Sequence, residues 1–212
     1  MALRRLCALA MLLLAATANA AGDPLARYLA GLVTLQADFA QTTTDAHGKQ
    51  VESGKGRLLV QRPGRFRWEY RAQGSGDEGG QVLVADGRNL WFYERDLAQV
   101  TVRDVAEALE ATPVVLLSGS AAEVSAAFEI SVAPRSDGVD WVTVTPRTQG
   151  GDFARAALGF RNGSLLNMQI SDKLGQVVQL RFTRSVRNTP IAATELQFTP
   201  PAGVDVIGTV LH

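Results

Sequence analysis

The period of the hydrophobic positions changes twice along the chain. Near the start, Leu25, Tyr28, Leu29, Leu32 and Val33 recur at i, i+3, i+4, i+7 and i+8, the single apolar stripe of an amphipathic helix. Asp23 is placed to cap that helix and Pro24 suits its first turn, so a helix is predicted over about residues 24–36. The period then becomes two. Strands are predicted at 37–45, 51–62, 65–72, 80–86 and 89–95, and in the second half at 128–133, 139–146, 153–160, 164–171, 176–186 and 194–198. Turn residues separate them, among them Pro63-Gly64, Asp86-Gly87, Asp137-Gly138 and Asn162-Gly163. Links this short pair neighbouring strands antiparallel.

Residues 101–126, between the two strand runs, read differently. Val102, Val105, Ala106 and Leu109 make a short helical stripe, and Thr112-Pro113 opens a second apolar stretch that stops at Gly119. Helices are therefore predicted within 102–118. One helix, five strands, one or two short helices and six strands describe a single mainly β domain with about eleven antiparallel strands. A sheet of that size must curve or close, and its concave face is the only apolar surface large enough to receive the helices.

Residues 1–20 stand outside this pattern. Arg4 and Arg5 precede an apolar run from Leu6 to Ala16, and Ala18-Asn19-Ala20 is a small-x-small cleavage sequence. Together they read as a secretory signal peptide, with an apolar run too short for a permanent membrane span. Its removal leaves residues 21–212, with 19 basic and 21 acidic side chains and no cysteine, since Cys7 lies in the leader. A thiol-free exported protein suits an oxidising compartment, and a bacterial periplasm is the simplest one.

Composition removes several function classes. Basic and acidic side chains balance at 21 each over the full chain, so no cationic bias points to nucleic acid. The two histidines, His47 in a predicted turn and His212 at the end, are poorly placed for a triad or a metal site. Gly74-x-Gly76-x-x-Gly79 has the letters of a dinucleotide loop, but a strand rather than a helix follows it and Asp77 and Glu78 would repel phosphate. No catalytic residue, metal or cofactor is predicted.

One constellation stands out, Leu58-Leu59-Val60-Gln61-Arg62-Pro63-Gly64-Arg65-Phe66-Arg67-Trp68-Glu69-Tyr70. Alternation places Phe66, Trp68 and Tyr70 on one face and Arg65, Arg67 and Glu69 on the other. Leu58 and Val60 share parity with Arg62, so a single arginine points the same way as an aliphatic and aromatic wall. Two readings are open on the residues alone. Either the wall is plain core with Arg62 snorkelling at a strand end, or the arginine belongs to a built site.

Gly56-x-Leu58-x-Val60-x-Arg62-Pro63-x-x-Phe66-x-Trp68 resembles the signature of the LolA family of periplasmic outer-membrane lipoprotein carriers. Phe39-x-Gln41, Val84-x-Asp86-Gly87-x-x-Leu90-Trp91-x-Tyr93, Thr112-Pro113 and Phe198-Thr199-Pro200-Pro201-x-Gly203-Val204 extend the resemblance over the whole chain after the leader. The resemblance implies an unclosed, strongly curved antiparallel β-barrel with a helical lid over an apolar cavity. It implies a monomeric carrier that takes lipoproteins from an inner-membrane ABC transporter, shields their acyl chains, and delivers them to an outer-membrane receptor, without cofactor or stable membrane insertion. Carried onto this sequence, it makes Arg62 the latch of the lid. The cavity is expected to be lined by Leu58, Val60, Phe66, Trp68 and Tyr70 with some of Leu90, Phe92, Met168 and Ile170. Leu25, Leu29, Leu32, Val105, Leu109, Val114 and Leu116 are expected to cover it.

Overall fold

The structure, a computed structural model, describes residues 23–76, 79–105, 113–148 and 153–211. The leader, Leu109 and His212 lie outside the described residues. Among the described residues are twelve strands in one sheet. The first six are β1 (Thr34–Thr44), β2 (Gln50–Gln61), β3 (Arg65–Ala72), β4 (Gln81–Ala85), β5 (Asn89–Glu94) and β6 (Gln99–Asp104). The second six are β7 (Phe128–Val132), β8 (Asp140–Pro146), β9 (Phe153–Arg161), β10 (Ser164–Asp172), β11 (Val177–Arg187) and β12 (Asp205–Gly208). Their order is β12-β6-β5-β4-β3-β2-β1-β11-β10-β9-β8-β7, so the sheet curves without closing and β12 and β7 are its edges. Every pair is antiparallel except β12 with β6, which is parallel.

The α-helices among the described residues are α1 (Pro24–Leu29), α2 (Val115–Ser118) and α3 (Ala121–Ala127). Asp23 caps α1 through its carboxylate to the Leu25 amide, with Pro24 in the first turn, as the sequence suggests. The helix is shorter than predicted. Ala30 is already extended (φ −61, ψ 121), Gly31 takes φ +67 in the turn that follows, and the β-branched Val33 and Thr34 lead into β1. Leu32 is buried but Val33 is 57% exposed, so the apparent stripe outlasts the helix by coincidence of spacing. Residues 99–104, assigned in part to a helix from Val102 onward, form β6, because Val100 and Val102 alternate with polar neighbours and pair with β5. Residues 194–198 are not a strand: Ala193–Leu196 make a 3₁₀ turn after Pro190. The sequence reading omitted α3, which a capping box starts: the Ser120 hydroxyl accepts the Glu123 amide and the Glu123 carboxylate accepts the Ser120 amide.

Glycines in β2 let the neighbouring chain approach closely. A Cβ at Gly56 would lie 2.1 Å from the Glu69 carbonyl oxygen and 2.3 Å from Phe39 Cζ. Only glycine lets the Phe39 ring cross the strand and stack on Trp68, with ring centroids 4.1 Å apart.

Two apolar cores result. The larger fills the concave side, where strand residues such as Leu58, Phe66, Met168 and Phe182 meet Leu25, Leu29, Leu116 and Val124 of the helices. The smaller lies on the convex side. Val82, Val84, Trp91, Val100 and Val102 are covered there by Phe198, Val204 and Val210 of the C-terminal segment.

Candidate functional site

Arg62 follows the last residue of β2, at the rim of the concave face. Its Nη1 donates to the carbonyls of Leu29 at 2.7 Å and Leu32 at 3.3 Å. Its Nε and Nη2 both donate to the Gly119 carbonyl, at 2.9 and 2.7 Å. Leu29 ends α1 and Gly119 is the C-cap of α2, so these acceptors belong to the carbonyls a helix leaves unpaired at its negative end. The backbone joins in: the Arg62 amide donates to Val33 O and the Gly64 amide to Ser118 O. Burial lowers the pKa of the Arg62 guanidinium and the nearby Glu123 carboxylate opposes this. An arginine keeps its charge regardless. Glu123 itself is held below the usual carboxylate range by the Ser120 amide and hydroxyl, against burial, with Arg62 assisting.

Beneath the arginine, Leu58, Val60, Phe66 and Leu116 have no exposed surface, so the concavity is filled and the helices are shut over it. Tyr70 is also buried, and its hydroxyl donates to the Glu52 carboxylate. Burial and then that carboxylate raise the tyrosine's pKa, so it stays protonated. Trp68 is half-buried against the same core, as are Ile170, Val105 and Val114. Leu25, Leu29, Leu32, Leu90 and Met168 are buried within it. Phe92 is half-buried and is not among the side chains packed into that core, although it alternates onto the face of Leu90.

The sequence reading missed two parts of this arrangement. Phe39, Leu180, Phe182, Leu158 and Phe160 fill as much of the concave core as the residues it named. Their signal was the alternation within β1, β9 and β11. The convex core was missed as well. Val82-Leu83-Val84 and Leu90-Trp91-Phe92-Tyr93 are unbroken apolar runs, the mark of strands covered on both faces.

Among the described residues no cluster of His, Cys, Asp or Glu is arranged to hold a metal ion, and no helix is long and apolar enough to cross a membrane. The site is thus an open, curved β-sheet with short helices sealed over an apolar interior, the kind of enclosure that receives apolar ligands. The sequence model of the outer membrane lipoprotein carrier protein LolA matches residues 30–199. The outer-membrane lipoprotein carrier protein of Methylobacillus flagellatus is 37% identical over 174 residues, covering 82% of each chain. That of Methylibium petroleiphilum is 38% identical over 201 residues, covering 94% of this chain and 96% of the relative. The chain belongs to the LolA family of outer-membrane lipoprotein carriers. Among solved structures, an uncharacterized conserved protein of Thermus thermophilus shares the fold, with a TM-score of 0.53 at 18% identity over 87% of this chain and 96% of that one.

Proposed function

We propose that the protein binds the acyl chains of lipoproteins in its concave core and carries them through the periplasm, from an inner-membrane ABC transporter to an outer-membrane receptor. It works there as a monomer without a cofactor, after residues 1–20 have been removed. This reading divides the apolar core into a cavity wall and a lid. Leu58, Val60, Phe66, Trp68 and Tyr70 with the facing residues of β5 and β10 form the wall, and the apolar sides of the helices form the cover. The observation that carries this reading is Arg62, whose side chain joins the end of α1 to the end of α2 over a predominantly apolar interior.

Energies support a latch. Shielding about ten methylenes contributes roughly 8 kcal/mol at about 0.8 kcal/mol each, enough to bind, and burying several whole chains would exceed what a carrier can release without a counterweight. Two hydrogen bonds from a charged donor supply about 3 kcal/mol in the opposite direction, about a hundredfold in affinity. Loading separates the helix ends, and remaking the bonds drives release. Arg62→Leu removes the latch and adds apolar surface, so it should load normally or better and transfer poorly. The test measures loading and transfer separately with purified components. Normal transfer, or lost loading without a trapped cargo complex, returns Arg62 to a plain role at a strand end.

A further inference from the structure

Arg62 touches two segments, and the rest of the protein holds them very differently. The segment from α1 into β1 is tied on both flanks. On the β2 side are Arg62 Nη1 and the Arg62 amide. On the β11 side, Arg187 Nη2 donates to the Tyr28 carbonyl at 2.7 Å, and its guanidinium lies 4.7 Å from the centre of the Tyr28 ring. Asn188 adds three side-chain bonds. Its Nδ2 donates to Gly31 O at 2.9 Å, and its Oδ1 accepts the amides of Val33 at 2.8 Å and Thr34 at 3.4 Å. The Asn188 amide donates to Thr34 O at 2.8 Å, and the Thr34 hydroxyl to Thr189 O at 2.7 Å. These bonds continue the β1–β11 ladder past its last pair, Leu35 with Arg187.

Residues 115–127 are tied by polar bonds at two places. Partway along, Arg62 and Gly64 hold Gly119 and Ser118. At the far end, next to β7, the Arg147 amide donates to Ala127 O at 2.9 Å and its Nε to Ser125 O at 3.4 Å. Elsewhere in the segment, Val115, Leu116, Leu117 and Val124 meet the sheet through apolar contact, which an acyl chain can replace without leaving a polar group unpaired.

We infer that Arg187 and Asn188 are positioning residues that fix α1 as part of the cavity wall, so that only residues 115–127 swing, hinged beside Ala127 and latched at Gly119. This rests on the carrier reading and divides its lid into a fixed jamb and a moving door. The arginine's donors are divided the same way. Nε and Nη2 release Gly119 on opening, while Nη1 stays on Leu29 and Leu32, so the guanidinium is never stripped of all its partners.

Hydrogen–deuterium exchange on the cargo-free mature chain tests this directly, with peptides spanning 24–33, 115–127 and the β9–β10 hairpin. Arg62→Leu should speed exchange in 115–127 by about tenfold or more and leave 24–33 within about twofold of wild type, because local openings are separate events with separate free energies. Arg187→Leu combined with Asn188→Ala should reverse that pattern. Asn188→Asp keeps the acceptor for Val33 and Thr34 and should restore most of the protection that Asn188→Ala loses. If the Arg187 variant disturbs β9–β10, the Asn188 pair decides. Equal acceleration of both segments by Arg62→Leu, or an unchanged 24–33 in the Asn188→Ala protein, overturns the assignment. A synthetic tripalmitoyl-cysteinyl peptide should deprotect 115–127 alone, and equal deprotection of 24–33 also overturns it. If this peptide fails to bind, the carrier reading falls, while the cargo-free comparison still decides the clamp.

Discussion

Asp86 shows how a single side chain can serve the fold while looking like part of a functional motif. It lies between β4 and β5, and its carboxylate accepts the amides of Arg88 and Asn89 at 2.9 and 2.8 Å and the Trp91 indole at 2.8 Å. Burial alone would raise its pKa, but these bonds outweigh burial and hold the carboxyl below its usual range. A depressed folded-state value means the stabilisation is complete above the unfolded pKa, about 3.9, and is lost as pH falls through the folded value. Asp86→Asn should therefore cost about 1–3 kcal/mol at neutral pH. The deficit should shrink below about pH 4, where the wild-type carboxyl also takes up a proton. Urea unfolding at pH 7 and pH 3 measures both, and an equal deficit at the two values would show that shape, not charge, sets the cost. Asp86 thus braces the hairpin that carries Leu90 inward and Trp91 outward.

Elements were legible where alternation or clear turn residues mark them. β1 to β5 and β7 to β11 do so, and the sequence places them within a few residues, although which face of β4 and β5 is covered by what was not legible. The end of β6 reads as helix because Val102 and Val105 also fit a helical spacing, and a strand of six residues is too short to separate the two periods. β12 was invisible because its order comes from a parallel partner 106 positions away, Asp205 against Gln99. The inward side of Arg62 followed from parity, and helix-end carbonyls are the acceptors that an arginine among apolar groups calls for, as observed; which carbonyls come within reach was not legible, since it depends on where two short helices end. α3 illustrates the same limit. Its interior buries only Val124, and its start depends on one local device. Ser120→Ala should lower stability by about 1 kcal/mol, and should loosen residues 120–127 in amide exchange before any strand responds. A uniform loss of protection would mean the box serves the whole core. The outer strap gives a contrasting prediction. Phe198 lies 5.6 Å from Trp91 and 5.9 Å from Tyr93, ring centre to ring centre, on the convex side. Phe198→Ala should cost about 2–3 kcal/mol in thermal or urea unfolding and leave acyl-probe affinity unchanged. A parallel fall in affinity would place the strap in the binding site.

At the scale of the molecule, the closed state sets the order of events in binding. Leu58, Val60, Phe66 and Leu116 are fully buried, so on the carrier reading proposed above an acyl chain enters this core only once residues 115–127 leave the sheet. Opening must then precede capture, and the observed binding rate cannot exceed the opening rate however much ligand is present. The Trp68 ring, half-buried and stacked on Phe39, is the natural reporter of acyl chains arriving. Stopped-flow fluorescence with rising concentrations of an acyl probe should give a rate that climbs and then levels. The plateau reports opening. Arg62 contributes bonds to Gly119 worth about 3 kcal/mol, and if they are broken at the top of the opening barrier, Arg62→Leu should raise the plateau by up to about a hundredfold. Phe198→Ala should leave the plateau unchanged, because its contacts lie on the far side of the sheet. A wild-type rate that rises linearly without levelling would mean that ligand enters a cavity already open. A plateau that Arg62→Leu does not move would mean that apolar contact beneath Leu116, rather than the arginine, keeps the door shut.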